Sequence, residues 1–162
     1  MKGFTIYTAA CAGNAKNCVY PTEVSVQDIA SLERAMKHDH VCAKYRDHKR
    51  SVAGFEWSDC IPMDCDNDHS DDPAAWKTPE EVQKAFPNVT FVVCYSRNHM
   101  KEKNGKAARP KFHCYFPVER VSDAKRYAAM KQLLLDCRSQ ALRHAVAYRS
   151  AGASAAGGLC GV

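Results

Sequence analysis

The sequence predicts an α+β fold, with a central, mostly antiparallel or mixed sheet flanked by helices. Three observations carry this. Short runs rich in β-branched and aromatic residues recur along the chain: "FTIYTA", "VTFVVCYS" and "RPKFHCYFPV". Between and after them, apolar residues fall three and four apart, as on one face of a helix, in "SVQDIASLERAMKHD" and "SDAKRYAAMKQLLLDCRSQALRHA". These patterns alternate within 162 residues, enough for one domain with a real core. The domain is expected over residues 1–135. An atypical helical continuation and a low-complexity, disordered tail are expected over 136–162.

Taken in order, "FTIYTA" reads as a first strand. The following helix places Ile29, Leu32 and Met36 on one face, with Ser25 or Asp28 as its cap. His38 and His40 fall at its end, where positive charge suits the helix dipole. "HVCAKYR" reads as a short strand, and "DHKRSVAGFEWS" as a polar loop or hairpin. "DCIPMDCD" is a strand that runs into an extended loop, "DNDHSDDPAAWK". The helix "TPEEVQKAF" carries the clearest local signals: Thr78 as N-cap, Pro79 at the first position and Glu81 completing a capping box. "VTFVVCYS" is continuously apolar, which predicts a central strand buried on both faces. A basic loop with an Asn104–Gly105 turn leads to the alternating "RPKFHCYFPV", and Ser122 is expected to cap the last helix.

Composition narrows the class. No stretch approaches the apolar length that spans a bilayer, and the start lacks the apolar core of a signal peptide, so a cytoplasmic protein with no membrane partner is expected. Nine scattered cysteines without a CxxC pair read as reduced, mostly buried thiols. Cys60, Cys65 and His69 have no fourth ligand at a zinc-like spacing.

The chemistry concentrates in two segments. "CIPMDCDNDHSDD", residues 60–72, crowds five aspartates into a chain of net charge +5. Either water or a cation must offset their repulsion. In a strand, Asp64 and Asp66 project from one face while Met63 and Cys65 project from the other. Two carboxylates side by side offer hard oxygen ligands suited to Mg²⁺ or Mn²⁺, which keep positions open for substrate phosphates. The alternative is a strand end with solvated acids. Between residues 97 and 120 the balance reverses, with seven Lys/Arg against two Glu. There Arg109, Lys111, His113 and Tyr115 share one strand face, and Phe112, Cys114 and Phe116 share the core face. A row of donors opposite an acidic pair fits a nucleoside triphosphate clamp. Arg97, His99 and Lys101 in the preceding loop are candidates for triphosphate or template contact, against the plainer reading of a solvated loop.

A strand ending in DxD, followed tens of residues later by a strand carrying His113, resembles the archaeo-eukaryotic primase superfamily. The stretch "DCIPMDCDNDHSDDPAAW…TPEEVQKAFPNVTFVVCYSRNHMKEKNGKAARPKFHCYFPV" is similar to primase–polymerase domains of phage, plasmid and other mobile-element replication proteins. The resemblance covers about residues 1–135 and implies an RRM-like catalytic core that transfers nucleotides to a 3′-hydroxyl on a DNA template. It implies a metal on Asp64 and Asp66, and His113 on the incoming nucleotide's phosphates. By face and charge, Lys111, Arg109 and Arg97 join the nucleotide site. Lys101, Lys103, Lys106 and Arg109 form the nucleic-acid surface. Partners would be DNA, nucleoside triphosphates and a replicative helicase domain or protein of the same element.

The family's third motif, a hydrophobic residue then Asp on a later strand, has no counterpart after Leu135. Asp136 falls in a helical pattern. The core is therefore expected to be incomplete at the C-terminus, with transfer weakened or absent. A non-catalytic nucleic-acid-binding remnant is the rival reading. A glycosyltransferase would need a larger nucleotide-binding domain. A rolling-circle nickase would need an apolar residue between paired histidines, where "HDH" has Asp39.

Overall fold

In the computed structural model of the chain, residues 2–102 and 105–136 are described, and they form an α+β architecture of two antiparallel sheets and three helices. Among these residues no helix is long and apolar enough to cross a membrane.

The first sheet has the order β2–β1–β3, formed by β1 (Phe4–Thr8), β2 (Thr22–Val26) and β3 (His40–Val41). All five residues of β1 are buried, as its alternation of aromatic and β-branched residues requires. β2 is an addition to the sequence reading. Its outer residues are exposed and only Val26 is fully buried, so its alternation is confined to Val24 and Val26; the ladder from Phe4↔Val26 to Thr8↔Thr22 makes it a strand. Ser25 therefore lies in β2, and Asp28 is the cap of helix α1 (Ile29–Met36), in a reciprocal box with Ser31. The helix closes at Met36, so His40 does not sit on its last turn; it opens β3 instead.

The second sheet has the order β4–β5–β7–β6, built from β4 (Ala43–Tyr45), β5 (Phe55–Cys65), β6 (Val92–Tyr95) and β7 (Phe112–Val121). Helix α2 (Pro79–Ala85) joins β5 to β6 and carries the expected Thr78–Glu81 capping box. The third helix, α3, covers 124–136. Its cap is Asp123, which accepts the Arg126 N–H at 2.7 Å, rather than Ser122. Because β7 lies between β5 and β6, the unit β5–α2–β6 is a split β–α–β.

That topology corrects one expectation. The apolar run "VTFVVCYS" forms an edge strand, since β6 pairs with β7 alone. Its apolar character reflects contact on both faces: Phe91 and Val93 pack on one core, Val92 and Cys94 on the other.

Those two cores define the second sheet. On one face, Ile61, Met63, Cys65, Phe112, Cys114 and Phe116 pack against Val82 and Phe86 of the α2 segment and Tyr127 of α3. On the other, Cys60 and Tyr115 meet Phe4, Ile6 and Val26 of the first sheet and Leu32 of α1. Cys42, Cys60, Cys65 and Cys114 are buried in these interiors.

Candidate active site

The first sheet covers only part of the second sheet's face. Tyr115 lies under that cover, 1% exposed and stacked on Phe4 with ring centroids 6.0 Å apart. It belongs to the core and not to an open row of donors. One pleat further along, cover ends and the polar residues begin. His113 stands directly opposite Asp64 in the β5–β7 ladder, and its Nδ1 is 3.3 Å from Asp64 Oδ1. The side chains are 33% and 60% exposed respectively, so the pair is anchored on two paired strands and open to solvent.

Burial raises the Asp64 carboxyl above its ordinary range. The neighbouring Asp66 charge adds to that rise and His113 opposes it. Beneath this pair, Tyr115 joins its hydroxyl to His40 Nε2 at 2.8 Å, while His40 Nδ1 meets the His38 carbonyl at 3.1 Å. A carbonyl only accepts, so Nδ1 carries a proton, and burial keeps the ring from taking a second. Asp64, His113, Tyr115 and His40 thus form a polar line running from solvent into the seam between the sheets.

The acidic loop and the basic loop meet beyond β5. Lys111 Nζ lies 3.0 Å from both carboxylate oxygens of Asp68 and 3.9 Å from Asp66. Lys106 is 3.9 Å from Asp68. These contacts hold the Asp68 carboxyl below its usual range, the Lys111 hydrogen bond being the chief cause. Much of the acidic cluster is therefore offset by cations of the same chain. A cleft of about 250 Å³ opens between the loops, and its lining includes Asp66, Asp68, Asn98, Lys101, Lys106 and Lys111. Lysine outnumbers aspartate on its walls, which suits an anion.

Arg109 departs from the sequence reading. It is 1% exposed, and its guanidinium donates to the carbonyls of Ala107, Asn67 and Ser70 and to Asp71 Oδ1 at 2.7 Å, with Trp76 beneath it. A fork engaged on this many acceptors locks the acidic loop at the wall of the cleft, which Arg109 also lines. Arg97 reaches across to Asp39 at 3.1 Å beside the Gly13 turn. His99 packs at a tilt against Tyr95, with centroids 4.2 Å apart, and its Nδ1 accepts the Lys111 N–H. Lys103 lies outside the described residues, as does 137–162, where the third acidic motif was sought. Asp136 sits on α3 and accepts from Gln132.

Two residues at the site went unread in the sequence. Asn67, 3% exposed, links three segments through its side chain, and Asp68 is the main partner of Lys111. Nothing in composition distinguishes either from its neighbours; only the left-handed tolerance of Asn hinted at a turn at 67.

The donor set near Asp64 and Asp66 is hard oxygen, and the Lys111 ammonium beside Asp66 acts as a stand-in cation. Both features fit Mg²⁺ or Mn²⁺ held by one or two carboxylates together with substrate phosphates. Among the described residues, no group of three His, Cys, Asp or Glu side chains is arranged to hold a metal alone.

No family model, curated protein or solved structure matches the chain.

Proposed function

We propose that the site performs metal-dependent nucleotidyl transfer of the primase–polymerase type, joining nucleoside triphosphates to a 3′-hydroxyl on a DNA template. The observation that carries this reading is the placement of Asp64 opposite His113, with Asp66 next along the chain and a lysine-lined cleft alongside. The split β–α–β unit, with the histidine strand central and the acidic strand beside it, supports an RRM-like core for it.

Asp64 and Asp66 would hold Mg²⁺ or Mn²⁺, which supplies charge stabilisation to the attacking and leaving oxygens. The chain's own residues bind and orient. His113, fixed by the β-ladder, donates to a phosphate oxygen. Lys111, Lys101 and Lys106 neutralise the triphosphate in the cleft. Tyr115 and His40 hold the floor under His113 rigid. DNA would follow the Lys101–Lys106 edge by phosphate contact.

One observation favours a second reading, a nucleic-acid-binding protein without turnover: no third metal-ligating side chain joins the pair among the described residues. Extension of a labelled primer on a DNA template with Mn²⁺ or Mg²⁺ separates the two. Incorporation that disappears in Asp64→Ala supports transfer. DNA binding without incorporation in the wild-type chain supports the second reading.

A further inference from the structure

We propose that the loop of the β4–β5 hairpin, residues 46–54, is a second cationic surface that grips the phosphate backbone of a nucleic-acid duplex, whatever its sequence and without a metal. Such a grip holds with or without nucleotidyl transfer. The loop stands at the start of β5, and at about 3.3 Å per residue Asp64 lies roughly 30 Å further along that strand. It is a separate place on the molecule.

The loop reads "RDHKRSVAG", with Arg46, Lys49 and Arg50 set against the single carboxylate of Asp47. Every residue from 46 to 53 is exposed. Among the described residues, no ion pair reaches Arg46, Lys49 or Arg50. The other basic segment differs. There Arg97, Lys106, Arg109 and Lys111 each face a carboxylate of the same chain, at Asp39, Asp68 or Asp71. That longer run is largely satisfied within the fold, while the hairpin keeps its charge for a polyanion.

The backbone that presents these cations is fixed. Arg46 N–H donates to the Gly54 carbonyl at 2.8 Å, and Lys49 N–H to the Arg46 carbonyl at 3.1 Å. From outside the loop, Tyr20 N–H donates to the His48 carbonyl at 2.9 Å. Arg50 N–H in turn donates to the Cys18 carbonyl at 2.7 Å, and Val19 is bridged to Lys49. These bonds hold Asp47 and His48 at φ 54° and 58°, left-handed values that non-glycine residues rarely keep in succession. A preset array of charges suits a partner whose charges are also preset, which a duplex is and a single strand is not. The loop has no aromatic residue on which single-stranded bases could stack, and the flanking Tyr45 and Phe55 pack on each other. Val52, 90% exposed, is its one sizeable apolar side chain, too little to anchor in a bilayer.

The test is fluorescence anisotropy of a labelled DNA duplex of about 20 base pairs, titrated with the full chain in EDTA at about 50 to 200 mM NaCl. Two unrelated sequences should bind alike. When Arg46→Gln, Lys49→Gln and Arg50→Gln are combined, the slope of log Kd against log salt should fall by about 2–3, and Kd at about 100 mM salt should rise at least tenfold. Arg46→Lys combined with Arg50→Lys should keep the wild-type slope, because phosphates are held here by charge. If the triple variant folds poorly by urea denaturation, Arg46→Gln and Arg50→Gln serve singly, each lowering the slope by about 1. A folded triple variant that keeps both affinity and slope overturns the inference. So does a wild-type chain that binds no duplex, or one that binds phosphatidylserine vesicles in place of duplex. Duplex binding that these variants weaken, in a chain that extends no primer, upholds the grip and overturns transfer alone.

Discussion

Asp64 and His113 are direct partners across the β5–β7 ladder, a register that lets Oδ1 and Nδ1 approach to 3.3 Å. A one-residue slip of β7 would turn His113 into the core that holds Met63, Cys65, Phe112 and Cys114, away from Asp64. Hydrophobic packing on that face therefore fixes the polar pair on this one. If His113 orients substrate phosphates, His113→Ala should lower kcat/KM for nucleotide by about 100-fold, as loss of a preorganised donor does. Its effect on stability should stay below about 1 kcal/mol, since the ring is a third exposed. Primer extension and urea denaturation of the same variant check both parts. A variant that unfolds readily would make His113 a structural residue.

Asp64 gives a pH-dependent prediction with a definite sign. Its folded-state carboxyl titrates above the ordinary 3.8, chiefly through burial and then through Asp66. The folded chain therefore binds this proton more tightly than the unfolded chain, and stability falls as pH rises from 3.8 through the folded value. Asp64→Asn removes the charge and should raise Tm at pH 7. With more than half of the side chain in water, the gain should be under about 1 kcal/mol, a shift of roughly 1–3 °C. Below pH 3.8 both forms are neutral and the gain should vanish. Thermal melts at pH 3 and pH 7 measure the difference; an equal shift at both would trace it to packing.

Arg109 is expected to act on the fold rather than on a ligand. Arg109→Ala leaves the carbonyls of Asn67 and Ser70 without their donor, and removes the ion partner of the exposed Asp71 carboxylate. The expected cost is about 2–3 kcal/mol, as loop carbonyls lose a charged donor while the exposed Asp71 is left to water. Arg109→Lys should recover little, because an ammonium cannot span acceptors set in a fork. Denaturant midpoints read the effect. A stable Arg109→Ala that has lost nucleotide binding would return this residue to the ligand site.

The sequence carried the site further than the sheet. Period-two alternation was enough to assign faces inside β5 and β7, as for Asp64 and His113, whereas Asp66 and Lys111 lie one residue beyond the strand ends. The capping signals at Thr78 and Glu81 were equally local and equally legible. What depends on tertiary cover was not. Tyr115 alternates with the donors but is core, since the first sheet lies over it. β2 offers only the short alternation of Val24 and Val26 with Glu23 and Ser25, and β6 has apolar residues on both faces while sitting at an edge. Charge runs were ambiguous for the same reason. Arg109 and Lys111 were visible as cations, but their acidic partners are 38 and 43 residues away.

Asn67 supplies the sharpest test of how the acidic loop is held at the site. Its backbone takes φ 55°, and its Nδ2 donates to the carbonyls of Lys77 at 2.9 Å and Pro110 at 2.8 Å. Its Oδ1 accepts the Lys77 N–H at 2.6 Å. One side chain thus ties the residue after Asp66 to the start of the α2 segment and to the start of β7. Asn67→Ala loses all three bonds and keeps the left-handed backbone, which should cost about 3–4 kcal/mol. Asn67→Gly loses the same bonds without the backbone penalty and should be about 1 kcal/mol more stable than the Ala variant. Asn67→Asp keeps the acceptor but turns a carboxylate oxygen toward two carbonyls, and should be no better than Ala at neutral pH. Urea denaturation of the three variants orders them. Ala and Gly variants of equal stability would show that the side-chain bonds alone set the loop, with the left-handed backbone adding nothing.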